Sequence, residues 1–235
     1  MRKEVLLSTL GLRAGYGGKP VLQGLDLEVR EGEIVAVIGR NGVGKSTLMK
    51  SLIGLVPATE GSVIYRGTSI DALSAHKRAR LGIGYVPQGR DVFPRLTVAE
   101  NIAVGAMRHR GAADKERILD YFPILRERWS QRAGTMSGGQ QQQLAIGRVL
   151  VADPSLILLD EPSEGIQPNI VQDIARIMVE LNRATGVTIV LVEQNIDMIR
   201  AMAQRCYVMD KGRIVASLDR EALADGEAMR RHLAV

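Results

Sequence analysis

The stretch GRNGVGKST, Gly39 to Thr47, constrains this chain more than any other. It fits the pattern G-x-x-x-x-G-K-[ST] of a phosphate-binding loop. Its context is right: the β-like run EIVAVIG leads in, and the apolar-periodic TLMKSLIGL leads out. Gly39, Gly42 and Gly44 let the backbone fold so that consecutive N–H groups face an anion. Asn41 belongs to the same loop and is taken with it as nucleotide-binding. Lys45 supplies a point charge for β- and γ-phosphates, and Ser46 offers a hydroxyl to Mg²⁺. Thr47 can bond a phosphate oxygen at the helix start. The competing reading, a glycine-rich turn with no ligand, does not account for the full motif between strand and helix.

A loop that holds a nucleoside triphosphate needs a carboxylate to orient the metal. SLILLDEPSEG provides one. Leu156 to Leu159 form an apolar run that reads as a buried central strand. Asp160 emerges at its end, where ligands bind in open α/β sheets. Glu161 follows, points differently, and is the candidate to polarise an attacking water.

The order of elements agrees with such a fold. Short β-like runs with Gly-rich turns extend from Glu4 to about Ile64, and a mostly helical pattern runs from about Leu96 to Leu150. From Ser155 onward the strands LILLD, TIVLVE and CYVMD alternate with helical stretches, the pattern of a parallel sheet with crossover helices. The net charge of +5 is mild, and no basic stripe interleaved with aromatics argues for nucleic acid. The single cysteine, Cys206, cannot form an internal disulfide and reads as a buried inert thiol. The N-terminus lacks the apolar core of a signal peptide, and runs such as VTIVLV are too short to span a bilayer. A soluble, cytoplasmic protein is expected, with any membrane-spanning segments supplied by another chain.

TMSGGQQQQLAIGR places two glycines and four glutamines at the head of an apolar-periodic helix. The tract is too short for low complexity, because Leu144, Ala145, Ile146, Val149 and Leu150 continue it at helical spacing. Ser137 stands where an N-cap belongs. A glycine-rich helix start with free N–H groups is a natural anion site. The glutamines after Gln140 are expected to be exposed first-turn residues.

Together, GRNGVGKST, YVPQGRDVFPRLTVAENI, MSGGQ and LILLDEP resemble the nucleotide-binding subunits of ATP-binding cassette transporters over essentially the whole chain. Met136 replaces the leucine usual before the serine of the third motif. The resemblance implies a P-loop NTPase core with a mainly parallel sheet, an N-terminal antiparallel β subdomain and an inserted helical subdomain. It implies one domain over 1–235, with the helical part at about 90–150. It implies ATP and Mg²⁺ as ligands, and two such subunits facing head to tail. Ser137, Gly138, Gly139 and Gln140 of one subunit would then meet the ATP held by the other's phosphate loop. Tyr16 matches an aromatic that stacks on adenine. Gln88 matches a glutamine that contacts Mg²⁺ and water and links ATP to the membrane partner. SEGIQP, Ser163 to Pro168, matches a loop that crosses the dimer interface.

Gln194 sits where many relatives carry a histidine that touches the γ-phosphate. The departure suggests pairing with a related ATPase that keeps the histidine, giving two unequal sites. The partners implied are integral membrane permease subunits, a like or unlike second ATPase and, indirectly, a substrate-binding protein. The location implied is peripheral, on the inner face of the cell membrane. VPQGRDVFPRLTVAEN, VEQN and EGIQP resemble the shorter ATPase of branched-chain amino acid importers, with urea and amide importers close behind. A soluble cassette ATPase of translation or DNA repair is the alternative, but this chain has one phosphate loop and no long coiled-coil insertion. A regulatory module without turnover could do without Glu161.

Overall fold

The computed structural model describes residues 4–107 and 114–224. The chain opens with two long strands, β1 (Val5–Tyr16) and β2 (Lys19–Arg30), followed by β3 (Ile34–Ile38) and α1 (Lys45–Ile53). Next come β4 (Ala58–Tyr65), β5 (Thr68–Ser69), α2 (Ala75–Arg80) and β6 (Ile83–Val86). A helical stretch follows: α3 (Val98–Ala106), α4 (Lys115–Tyr121), α5 (Pro123–Glu127), a 3₁₀ turn (Ala133–Thr135) and α6 (Gly138–Leu150). The chain then alternates through β7 (Leu156–Asp160), α7 (Pro168–Thr185), β8 (Thr188–Val192), α8 (Ile196–Met202) and β9 (Arg205–Asp210), and closes with β10 (Arg213–Leu218) and α9 (Arg220–Ala224). The single domain read over 1–235, with its helical part at about 90–150, takes in residues 1–3, 108–113 and 225–235, which lie outside the described residues.

Two sheets result. The first is antiparallel, in the order β2-β1-β4-β5. Its leading hairpin turns on Gly17 and Gly18, at φ of 57° and 77°, the left-handed pair that a two-residue hairpin loop requires. The second runs β10-β9-β3-β8-β7-β6, and every pairing in it is parallel except β10 with β9. This is the mixed α/β class expected from the sequence.

All residues of β3, β7 and β8 are buried, because both faces of the parallel sheet are covered. Successive side chains alternate between those faces. Leu156, Leu158, Val190 and Val192 pack with Leu48 and Met49 of α1 and with the first sheet. Ile157, Leu159, Ile189 and Leu191 pack with α6 and α7, through Leu144, Ile146, Ile174 and Met178. Parallel direction also brings the carboxyl ends of β3, β8, β7 and β6 to one edge, in that spatial order. The segments after these four strands carry Lys45, Gln194, Glu161 and Gln88.

One expectation about α6 fails. Gln142 and Gln143 are not exposed; they keep 3% and 8% of their accessible surface. The helix packs against α3, α5, α7 and β6, so its middle turns have no face left for water. Gln141 is only partly exposed, and its Nε2 donates to Ala133 O at 3.0 Å. Among the described residues, no helix is long and apolar enough to cross a membrane.

Candidate active site

The phosphate loop lies between β3 and α1. Gly39 and Gly44 take φ of 153° and 109°. A Cβ on Gly39 would sit 2.3 Å from Met209 O on the neighbouring strand, so no larger residue fits there. Gly42, at φ 80°, lies in open space and is required by conformation alone. Gly44 is the N-cap of α1 and supplies no side-chain cap, and the first turn holds no acidic residue. The helix start therefore keeps N–H groups and a positive dipole end for an anion. Lys45 Nζ is buried and donates to Gly39 O at 2.8 Å and Arg40 O at 2.9 Å. Burial pulls its ammonium below the usual lysine range, opposed by the carboxylates of Glu161, Asp160 and Glu193.

β7 delivers the two carboxylates. Asp160 is its last residue, 1% exposed, and Ser46 Oγ donates to its Oδ1 at 3.1 Å. Tyr85 OH donates to Oδ2 at 3.2 Å. Burial pushes Asp160 above the usual carboxylate range, partly offset by these two hydrogen bonds. Glu161 has left the strand: its φ is 48°, uncommon for a residue with a side chain, and its N–H donates to Val192 O at 2.9 Å. That turn aims the carboxylate back over the loop, 3.7 Å from Lys45 Nζ.

Two amides converge on Glu161. Gln88 Nε2 lies 3.4 Å from Oε2 and donates to Glu164 at 3.0 Å. Gln194 Nε2 donates to Glu161 Oε1 at 2.9 Å and to Asn41 Oδ1 at 2.8 Å. A neutral amide thus bridges the phosphate loop and the carboxylate. Behind it, buried Glu193 accepts from the backbone N–H groups of Gln194 at 2.7 Å, Asn195 at 2.9 Å and Ser163 at 3.2 Å. Tyr16 ends β1 at the hairpin and is 52% exposed.

Ser137 to Gln140 form the start of α6. Ser137 caps α6 in a reciprocal pair: Gln140 N donates to Ser137 Oγ at 3.4 Å, and Ser137 N donates to Gln140 Oε1 at 3.0 Å. These residues line a separate cleft of about 650 Å³ with Tyr121, Phe122 and Gln167, and no phosphate-loop residue lines it. Gly138 and Gly139 leave little room. A Cβ would sit 3.0 Å from the Arg90 guanidinium and 2.9 Å from Ile170, respectively.

A family model described as ABC transporter matches residues 22–164, which run from β2 through the phosphate loop and α6 to just past Glu161. The chain belongs to the ABC transporter family. It is an ATPase of that family. It is 48% identical over 203 residues to the Pseudomonas aeruginosa high-affinity branched-chain amino acid transport ATP-binding protein BraG, covering 85% of this chain and 87% of that one. It is 35% identical over 236 residues to the Escherichia coli K12 lipopolysaccharide export system ATP-binding protein LptB, covering 97% and 96%. Among solved structures, a dimeric ATP-binding cassette in a post-hydrolysis state, bound to ADP and Pi, superposes with a TM-score of 0.82 at 26% identity. It covers 92% of this chain and 99% of that one.

Two residues of this ABC ATPase lie inside the motif stretches, Tyr85 at the head of YVPQGRDVFPRLTVAENI and Glu193 within VEQN, but received no role from them. Tyr85 sits mid-strand, where nothing local separates it from an ordinary core tyrosine. Glu193 carried a faint signal, a lone acid closing the apolar run TIVLV.

Proposed function

We propose that this chain is the ATP-hydrolysing subunit of a membrane importer for branched-chain amino acids. The observation that carries ATP hydrolysis is the convergence of Lys45, Ser46, Asp160 and Glu161 at one edge of the parallel sheet. The solute rests on similarity to BraG, since a transported amino acid would not touch the ATPase.

The residues fit Mg²⁺–ATP. The uncapped start of α1, with no acidic residue in its first turn, suits phosphate oxygens. Ser46, Asp160 and Gln88 offer hard oxygen ligands, the donors that Mg²⁺ takes beside substrate phosphates. When bound, Mg²⁺ would neutralise charge on the β- and γ-phosphate oxygens.

In this reading Lys45 holds the β- and γ-phosphates, and Asn41, Gly42, Gly44 and Thr47 complete the cradle. Glu161 takes the proton of the attacking water as general base. Gln194 fixes the Glu161 carboxylate against the loop, and Gln88 reports on the same carboxylate. Tyr16 stacks on adenine. Ser137 to Gln140 would meet a second subunit's ATP, in line with the cleft they line, which no residue of this chain's phosphate loop borders. The permease is proposed to meet the groove of about 630 Å³ that reaches Pro87, next to Gln88, and includes Leu55 and Phe93. The chain would thus sit on the inner face of the membrane.

The 97% coverage against LptB supports a second reading, an exporter ATPase of similar build. Purification of the chain with its native membrane partners, reconstitution, and ATPase assays with each candidate solute and its binding protein separate the two. Stimulation by leucine, isoleucine or valine is expected. Stimulation only by a lipid-linked polysaccharide would overturn the importer reading.

A further inference from the structure

Asp160 has both carboxylate oxygens engaged, by partners from two different segments of the chain. Ser46 serves Oδ1 from the phosphate loop, whereas Oδ2 receives the Tyr85 hydroxyl at 3.2 Å from a different strand. The register explains the contact. Tyr85 on β6 pairs with Leu158 on β7, two residues before Asp160. Residues two apart on a strand share a face, so Asp160 is the diagonal neighbour of Tyr85. Such diagonals span roughly 7–8 Å, within reach of a long or aromatic side chain only. A phenol at this position bridges the gap, and a phenylalanine falls short by its oxygen.

The Tyr85 ring is partly buried against the cluster that contains α1 and β7, which fixes the direction of the hydroxyl. The other side of the ring borders the groove lined by Leu55, His76 and Phe93.

We infer that Tyr85 is a positioning residue for the metal site: its hydroxyl locks the Asp160 carboxylate through Oδ2 and leaves the Ser46 side of that carboxylate to the metal. The inference rests on Asp160 being the metal-orienting carboxylate. It predicts a specific loss. Outer partners of metal-binding groups are typically worth about 10- to 100-fold in metal affinity or activity. Removing only the Tyr85 oxygen should therefore weaken the metal's contribution to nucleotide binding about tenfold, without touching metal-free binding.

The test is a pair of affinities on the full chain. Binding of the non-hydrolysable analogue AMP-PNP is measured in EDTA and with saturating Mn²⁺, for wild type, Tyr85→Phe and Tyr85→Leu. The ratio of the two affinities reports the metal alone. For Tyr85→Phe, the expected result is an unchanged affinity in EDTA and a ratio about tenfold smaller than wild type. A Tyr85→Phe ratio within twofold of wild type would overturn the inference, and so would an equal loss in both conditions. Normal behaviour in Tyr85→Phe with losses in Tyr85→Leu would show that the ring merely packs. A wild-type protein whose binding ignores Mn²⁺ would remove the metal reading of Asp160 itself, and the inference with it.

Discussion

Gln194→Ala isolates the amide that joins the phosphate loop to Glu161, the carboxylate proposed as the base. The side chain donates to Glu161 Oε1 at 2.9 Å and to Asn41 Oδ1 at 2.8 Å. A hydrogen bond to a charged group is worth about 1.5–3 kcal/mol net. Gln194 is exposed, so the lower end applies. At about 1.4 kcal/mol per tenfold, loss of the Glu161 contact should lower kcat roughly tenfold if the contact acts in the transition state. Gln194→Glu should cost more, because it replaces the donor with a like charge beside Glu161. Steady-state ATPase assays of the purified chain give kcat and KM for both variants. A Gln194→Ala kcat within twofold of wild type would refute the idea that this amide holds Glu161 for catalysis. In a complex with a second ATPase that carries histidine at the matching position, the loss should shrink, because the partner's site still turns over. Silencing of that complex by Gln194→Ala as complete as by replacing the partner's histidine would rule out unequal sites.

Two further outcomes are expected. Lys45→Ala should abolish tight ATP binding by the isolated chain, whereas Ser137→Arg should leave it nearly intact and block ATP-driven dimerisation, read by equilibrium binding and size-exclusion chromatography; equal loss of binding in both would contradict a role for Ser137 toward a second subunit. Burial pushes the Cys206 thiol up to about 12, so at pH 8 only roughly one thiol in 10⁴ is thiolate. A maleimide should therefore label the native chain far more slowly than the urea-unfolded chain, and rapid native labelling would contradict the buried placement.

What the sequence revealed was local chemistry. The phosphate loop and the LILLD strand are contiguous, and their residue types follow from what a phosphate-binding turn and a doubly covered strand need. Ser137 was legible as a cap for the same reason. The contacts that organise the site are not local. Tyr85 meets Asp160 only because β6 pairs with β7, 75 residues apart at the contact. Gln194 meets Asn41 only because β8 lies beside β3, although 153 residues separate the pair. Gln142 and Gln143 were misjudged because polarity suggested solvent, while the helix they belong to is enclosed on several sides. Glu193 reads as a strand-end acid until its three backbone partners, drawn from two loops, are seen together.

The most direct test of the central claim is the fate of ATP on Glu161→Gln. Glu161 is placed by its left-handed turn 3.7 Å from Lys45 and held by Gln194, and a positioned base is typically worth about 10²–10⁴ in rate. Single-turnover hydrolysis of radiolabelled ATP should therefore slow by that factor while ATP remains bound. Chromatography of the bound nucleotide should recover intact ATP from the variant and ADP from the wild type. Recovery of ADP from the variant at the wild-type rate would mean that Glu161 is not the base.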